Sequence, residues 1–408
     1  MSGHKSIGVV SANCSVPNSA DDSADDENAG FDGDDDDDVS LKPARRMGVQ
    51  GNEKLAPEDE SEDDSWRVEG TDWQGDLGRS VDLPWPGHHK HRHLLIGVLT
   101  QPYYSWNMTK PDAEHTGLDK LFIGASYVRL LEAGGAQVVP VFHDSTDEEF
   151  EKVMSQINML VIPGGFASLK KSSEFYQAGK KLLDIAMRLN DDGDFFAVHG
   201  ICLGMELMLK AVSAKHKILR RVNATAAPAT LFFPYRSARR KAMFAWLSDE
   251  LIERIKQVPV AMENHHFGLN PDRFDENEDI SNFYEMLTTS PDKEGTHYVS
   301  TIQATSYPFT GTQWHPEKSA YEWYSTYHVP HSLDAIQLMQ ATANFIVSQA
   351  RRNDHRLPCW DDERKLLIYN YPLLFGSRQR HSVYDQYYIV PARAERQALA
   401  QGEQAATI

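Results

Sequence analysis

Phe195-Phe196-Ala197-Val198-His199-Gly200-Ile201-Cys202-Leu203-Gly204-Met205-Glu206 reads as an apolar run, a small-residue turn and the first residues of an amphipathic helix. That order describes a β-strand that turns sharply into a helix with a thiol at the corner. A nucleophile elbow of this kind holds its side chain strained and exposed above a sheet, at the N-terminus of the following helix. The helix end supplies partial positive charge and N–H groups, which favour a thiolate and a developing oxyanion. A cysteine inside an apolar run is commonly a small buried hydrophobe. The glycines on both sides of Cys202 speak for the elbow.

The same alternation of strand and helix continues on either side of the corner. Strands are expected at Leu94–Thr100, Ala136–Phe142, Met159–Pro163 and Phe195–His199. Helices are expected at Leu118–Leu131, closed by Gly134-Gly135, at Asp147–Ile157 and at Ser172–Leu189, the last capped by Ser172 or Ser173. This order predicts an α/β fold with a mostly parallel central sheet and helices on both faces. Residues 215–310 read as β-rich excursions and edge strands, Ser332–Arg352 as a helix, and the remainder as irregular with one apolar run, Leu366–Tyr371.

A partner for the thiol lies in Phe309-Thr310-Gly311-Thr312-Gln313-Trp314-His315-Pro316-Glu317-Lys318, a strand ended by proline. His315 then projects from a strand end, where α/β proteins place their chemistry. Glu317 reaches the imidazole from the same side. A cysteine nucleophile needs a base, and the base needs an acceptor that fixes its tautomer. Cys202, His315 and Glu317 fill those three positions. In Ile162-Pro163-Gly164-Gly165-Phe166, two glycines after a strand allow backbone N–H groups to approach a ligand closely, or simply permit a tight turn. Neither dinucleotide nor P-loop spacing is present. Glu206 sits one helical turn beyond Cys202 on the same face, as a locally bonded carboxylate or a pocket residue.

The chain has 408 residues and a formal charge of −18. Residues 1–90 hold 22 acidic against 8 basic residues and so carry −14 of that charge. Eleven acids and no base fall between Asp21 and Asp38. Such a segment buries too little apolar surface to offset the entropy of ordering. The expected division is therefore a disordered acidic extension at 1–90, a catalytic domain at 91–390 and a tail at 391–408. No apolar stretch approaches the length of a membrane span, and the first 30 residues lack the apolar core of a secretory signal. Cys14, Cys202 and Cys359 are too few for a disulfide framework and lack metal-ligand spacing. Neither a metal nor a cofactor is required by these motifs, and no feature points to nucleic acid.

Gly-Ile-Cys-Leu-Gly followed by Trp-His-Pro-Glu-Lys resembles the class I glutamine amidotransferase-like superfamily, of flavodoxin-like fold. Within it the chain is more similar to the γ-glutamyl hydrolases, across roughly residues 94–390. Ile96-Gly97-Val98-Leu99-Thr100-Gln101-Pro102, Ala125-Ser126-Tyr127-Val128, Glu132-Ala133-Gly134-Gly135-Ala136 and Lys318-Ser319-Ala320-Tyr321-Glu322-Trp323 support that branch. So does Glu206, where amidotransferases usually carry Gln. The resemblance implies cysteine-dependent cleavage of γ-glutamyl bonds in folate or antifolate polyglutamates. It implies an oxyanion hole from the Gly165 and Leu203 N–H groups, with Gly164 shaping the turn. It implies pocket roles for Glu206 and for His265 of Met262-Glu263-Asn264-His265-His266-Phe267-Gly268-Leu269, where the alternative is a surface His pair. His199 departs from the family, which commonly has Trp nearby. Relatives form homodimers in the lysosome, vacuole or outside the cell, which implies a dimer here; with no signal legible, a cytoplasmic location is also open. The competing readings are a glutaminase delivering ammonia to a synthetase and a non-catalytic relative whose acidic extension recruits a partner.

Overall fold

A computed structural model describes residues 93–103, 120–215, 217–323, 327–376 and 384–400. The acidic extension expected at 1–90, and Cys14 with it, lies outside the described residues. The chain begins β1 (Leu95–Leu99), β2 (Gln101–Pro102), β3 (Lys120–Gly124), α1 (Ala125–Ala133), β4 (Gln137–Val141), α2 (Asp147–Met154), β5 (Met159–Ile162) and α3 (Glu174–Asp191). The elbow follows as β6 (Ala197–Ile201) and α4 (Leu203–Val212). Next come β7 (Arg220–Ala229), α5 (Asp249–Ile255), β8 (Ala261–Gly268), α6 (Pro271–Asp275), α7 (Glu278–Phe283), β9 (Tyr284–Pro291), β10 (His297–Ala304) and β11 (Phe309–Thr312). The described chain ends with α8 (Lys318–Tyr321), α9 (Leu333–Ala350), α10 (Trp360–Leu366), β12 (Leu373–Phe375), β13 (Gln386–Pro391) and α11 (Arg393–Ala400).

The central sheet has seven strands in the order β4-β1-β5-β6-β11-β10-β9. The five from β4 to β11 are parallel; β10 and β9 extend them antiparallel. Period-two alternation divides its side chains between two cores. Ile96, Val98, Met159, Val161, Ala197 and Ile201 face one core with α1 and α9. Leu95, Leu99, Leu160, Ile162, Phe196 and Val198 face the other with α2, α3 and α4. Burial on both faces explains why these strands read as continuous apolar runs rather than alternating ones. Helix starts follow side-chain chemistry: Thr146 and Glu149 form a reciprocal capping box on α2, Ser173 caps α3 and Ser332 caps α9.

Three expectations are corrected. The helix expected at Leu118–Leu131 is a strand over Lys120–Gly124 and becomes helical only from Ala125, its first two residues lying outside the described chain. The strand pairs along all five residues with β13, a partner more than 260 positions away. Tertiary pairing of this kind overrides local spacing. Residues 215–310 carry α5, α6 and α7 as well as β-structure. The C-terminal part is not irregular. It supplies α10, β12 and β13, the last two in a second sheet of order β12-β13-β3-β2. Nor does regular structure stop at 390, since Arg393–Ala400 is helical and the Arg396 guanidinium is paired with Asp144 at 2.8 Å. Among the described residues no helix is long and apolar enough to cross a membrane.

Helix α4 lies so close to β5 that a Cβ at Gly204 would sit 2.0 Å from the Ile162 carbonyl oxygen. The obstacle is backbone and cannot swing aside. Gly204→Ala is expected to lower the unfolding free energy by about 3 kcal/mol or more, read from urea melts; an unchanged midpoint would contradict this packing.

Candidate active site

The parallel strands β1, β5, β6 and β11 end on one edge of the sheet, and the chain leaving each of them contributes to a single site. Gln101 follows β1, Gly164 and Gly165 follow β5, Cys202 follows β6, and His315 and Glu317 follow β11. Cys202 has φ 50° and ψ −108°, backbone angles that a side-chain-bearing residue rarely adopts. The conformation is held from both sides. The Cys202 N–H donates to the Thr312 carbonyl at 2.7 Å, and its own carbonyl accepts the first helical bond from the Glu206 N–H at 3.0 Å. Gly200 is obligatory below the corner, because a Cβ there would meet Met208 Sδ at 2.5 Å and the Met205 nitrogen at 2.7 Å.

His315 is brought to the thiol by backbone contacts on two sides. Gln313 N–H donates to the Ser300 carbonyl and His315 N–H to the Met262 carbonyl, both at 2.8 Å. The imidazole Nδ1 meets Glu317 Oε1 at 2.7 Å, and both side chains are buried. With Nδ1 committed to a carboxylate, Nε2 is the basic nitrogen, and it has no hydrogen-bond partner among the described residues. A Cβ at Gly164 would stand 2.8 Å from His315 Cε1 and 3.1 Å from Cys202 Cβ, so imidazole and thiol flank the same point. That point explains the glycine: any larger residue would separate the two groups. Gln101 Nε2 donates to the Gly164 carbonyl at 3.1 Å and holds the turn from behind. A small cleft opens over the thiol, lined by Gly165, Phe166, Cys202, Asn264, His315, Lys318 and Tyr384.

The electrostatics differ from expectation in one respect. The helix N-terminus was expected to acidify Cys202, yet its thiol is held well above the ordinary range. Burial is the largest cause, followed by the negative charges of Glu206, Glu263 and Glu317; the Leu203 N–H offsets only part. The resting group is therefore a neutral thiol, which must lose its proton as it reacts. Burial would likewise raise Glu317, but the charge and hydrogen bond of His315, with Lys318, outweigh it and leave this carboxyl below its usual value. Glu206 is pushed up to about 7 by burial, despite the His265 charge and the hydrogen bond from Gln313. Gln313 Nε2 lies 3.1 Å from Glu206 Oε1 and 3.8 Å from Cys202 Sγ, so this amide couples the two.

His265 is buried rather than on the surface. Its Nδ1 lies 2.7 Å from the Phe267 carbonyl and its Nε2 2.9 Å from Glu263. Both partners accept, so both ring nitrogens donate and the ring is an imidazolium. The residue of β8 that lines the cleft is instead its neighbour Asn264. Leu203 opens α4 directly after the thiol, and Gly165 lines the cleft. Lys318 is buried with its ammonium 4.9 Å from the Tyr384 ring centroid, whereas Lys170 and Lys171 are exposed. Sequence reasoning gave no role to Gln313, Asn264 or Tyr384. Gln313 stands inside the quoted motif and its amide was a legible signal; Tyr384 reaches the site through β13 and had none. Among the described residues no group of three His, Cys, Asp or Glu could hold a metal ion.

A thiol at an elbow on a mostly parallel sheet, facing a carboxylate-bound imidazole, defines a cysteine hydrolase of the class I amidotransferase type. Residues 123–327 match the family Glutamine amidotransferase class-I. Gamma-glutamyl hydrolase 1 of Arabidopsis thaliana is 38% identical over 77% of this chain and 87% of its own length. Gamma-glutamyl hydrolase B of Dictyostelium discoideum is 33% identical over 70% and 80%, and the Rattus norvegicus gamma-glutamyl hydrolase 32% over 69% and 86%. The chain belongs to the γ-glutamyl hydrolase family.

The raised Glu206 carboxyl has a consequence for stability. A folded-state pKa above the unfolded value means that the native protein binds the extra proton, so stability falls as pH rises from about 4.5 to about 7. Glu206→Gln removes that loss while keeping an acceptor for Gln313. The variant is expected to match the wild type at the acid end and to exceed it by about 1–3 kcal/mol above neutrality. Urea melts at several pH values read the difference; parallel curves would contradict the assignment.

Proposed function

We infer that this protein hydrolyses γ-glutamyl amide bonds, with folate and antifolate polyglutamates as its substrates. The observation that carries the reading is Cys202 held at the elbow beside an imidazole whose Nδ1 is bound to a buried carboxylate. Family membership supplies the bond type. In the proposed sequence the γ-carbonyl carbon of a glutamyl residue enters the cleft above the thiol. His315 Nε2 takes the thiol proton as sulfur attacks, which suits a thiol that burial keeps neutral at rest. The resulting imidazolium is stabilised by Glu317, whose depressed pKa keeps it ionised through the cycle. The tetrahedral oxyanion is received by the Gly165 and Leu203 N–H groups, a contribution typically worth on the order of 10²–10³ in turnover for one donor.

His315 then returns its proton to the departing α-amine of the next glutamate. Water enters, gives a proton to the same Nε2 and cleaves the thioester, which restores the thiol. Glu206 and Gln313 support the thiol from below, and Gly164 keeps the gap between sulfur and ring open. The polyglutamate tail carries an α-carboxylate at each link; Lys318 supplies a positive charge at the cleft wall.

A glutaminase would use the same thiol and imidazole, so substrate decides between the two readings. With pteroylpentaglutamate, shorter pteroylglutamates and released glutamate or glutamyl peptide are expected, followed by mass over time. With free glutamine, ammonia release is expected to stay at background. Cys202→Ala is expected to lower cleavage by a factor on the order of 10⁴–10⁶. Wild-type cleavage by that variant, or ammonia from glutamine with polyglutamate untouched, would overturn the proposal.

A further inference from the structure

Asn264 of β8 lines the cleft over the thiol, and the mechanism has no use for it. Its neighbours Glu263 and His265 bond to each other on the buried side of the strand, so period-two alternation sends the Asn264 side chain the other way. Opposite it β7 carries a bulge. Ala224 pairs with His265 and Ala227 with Glu263, which leaves two residues, Thr225 and Ala226, across from the single Asn264. Ala226 has φ 51°, in the left-handed region that a side-chain-bearing residue seldom enters. That turn of the backbone presents the Ala226 N–H to Asn264 Oδ1 at 3.2 Å. Bulges and strained residues of this kind recur beside active sites, where they re-aim a side chain.

A backbone N–H can only donate, so the atom it meets is the amide oxygen and the orientation of the amide is settled. The NH2 end is left over. Nδ2 makes no hydrogen bond among the described residues, and it is not one of the buried polar atoms that lack a partner. It is therefore open to solvent at the cleft that the residue lines. Lys318 is the cationic member of that lining, and none of the described residues lining the cleft is acidic. Beneath them the charges of Glu206, Glu263 and Glu317 act on the thiol. An anionic group entering over that floor needs donors from the walls to offset the repulsion. We propose that Asn264 is a specificity-determining residue: its Nδ2 donates to the α-carboxylate of the glutamyl residue whose γ-carbonyl carbon is attacked. The inference rests on the cleavage of γ-glutamyl bonds, in which that carboxylate lies two methylenes and the α-carbon away from the reacting carbonyl.

The competing role is structural, with Asn264 pinning the bulge and nothing more. That role asks only for the oxygen. An aspartate supplies the same oxygen to the Ala226 N–H but replaces the NH2 group by a second acceptor that carries negative charge. Asn264→Asp therefore keeps the pin and inverts what the cleft meets. A carboxylate on the substrate is then repelled, whereas a neutral carboxamide donates to the new oxygen.

Two pteroyldiglutamates test this, differing only in whether the first glutamyl residue carries its α-carboxylate or an α-carboxamide; each has one cleavable γ-bond. In the wild type the carboxylate form is expected to be favoured at least about tenfold in kcat/KM. Asn264→Asp is expected to lower kcat/KM on the carboxylate form roughly 100-fold, mostly through KM, and on the carboxamide form by less than about fivefold. A second measurement needs no substrate: the rate of Cys202 alkylation by anionic iodoacetate relative to neutral iodoacetamide. That ratio is expected to fall about tenfold in Asn264→Asp. If the wild type cleaves neither pteroyl compound, the polyglutamate reading fails, and the alkylation ratio alone decides whether the Asn264 donor serves an anion over the thiol. Should Asn264→Asp fail to fold, Asn264→Ala decides: a loss of about tenfold on the carboxylate form and within about threefold on the carboxamide form is expected. A carboxylate-to-carboxamide preference unchanged in a folded variant, or an unmoved alkylation ratio in Asn264→Asp, would overturn the proposal.

Discussion

The amide of Cys202 bonded to the Thr312 carbonyl is the contact on which the site depends. It ties the corner after β6 to the end of β11, so the same bond that secures the positive φ of Cys202 also sets where the chain departs toward His315. Three glycines make this possible by close approach rather than by flexibility. Gly200 lets α4 start directly over its strand, Gly204 lets that helix rest on the Ile162 carbonyl, and Gly164 leaves the gap that thiol and imidazole share. Strain at one residue is thus held by the rigidity of a seven-stranded sheet, as strain at functional positions generally requires.

The electrostatic arrangement follows from the same burial. Four glutamates, Glu206, Glu263, Glu317 and Glu322, are buried among the described residues. They are handled in three ways. Glu317 is ionised against His315, Glu263 is paired with the His265 imidazolium, and Glu206 and Glu322 are pushed up to about 7. Burial, aided by the negative charges of Glu206, Glu263 and Glu317, keeps Cys202 protonated. A nucleophile stored as a thiol is less open to oxidation than a standing thiolate, and it requires the base to act within the chemical step. The imidazole is accordingly placed with one nitrogen fixed and the other uncommitted.

Much of this was legible in the sequence. The elbow, the His-Pro-Glu turn and the Pro-Gly-Gly turn are local signals, because each needs small or restricted residues at fixed offsets along a few consecutive positions. Parallel strands buried on both faces also announce themselves as short apolar runs. What escaped was non-local. Lys120–Gly124 became a strand because of residues 386–391, and Tyr384 entered the site just ahead of that same strand. The thiol was expected to be acidified by its helix, since proximity to the N-terminus can be read from sequence. Burial reverses the effect, helped by three carboxylates from α4, β8 and the segment after β11, and only the fold brings these together.

The central claim is that Cys202 carries the acyl group during turnover. Rapid acid quench of the enzyme with excess pteroylpolyglutamate, followed by peptide mass analysis, tests it most directly. The account predicts a transient thioester on Cys202, with the mass of the acyl fragment left after the leaving glutamate or glutamyl peptide departs. Steady turnover with an unmodified Cys202 at every quench time, or an acyl group found on another residue, would contradict it.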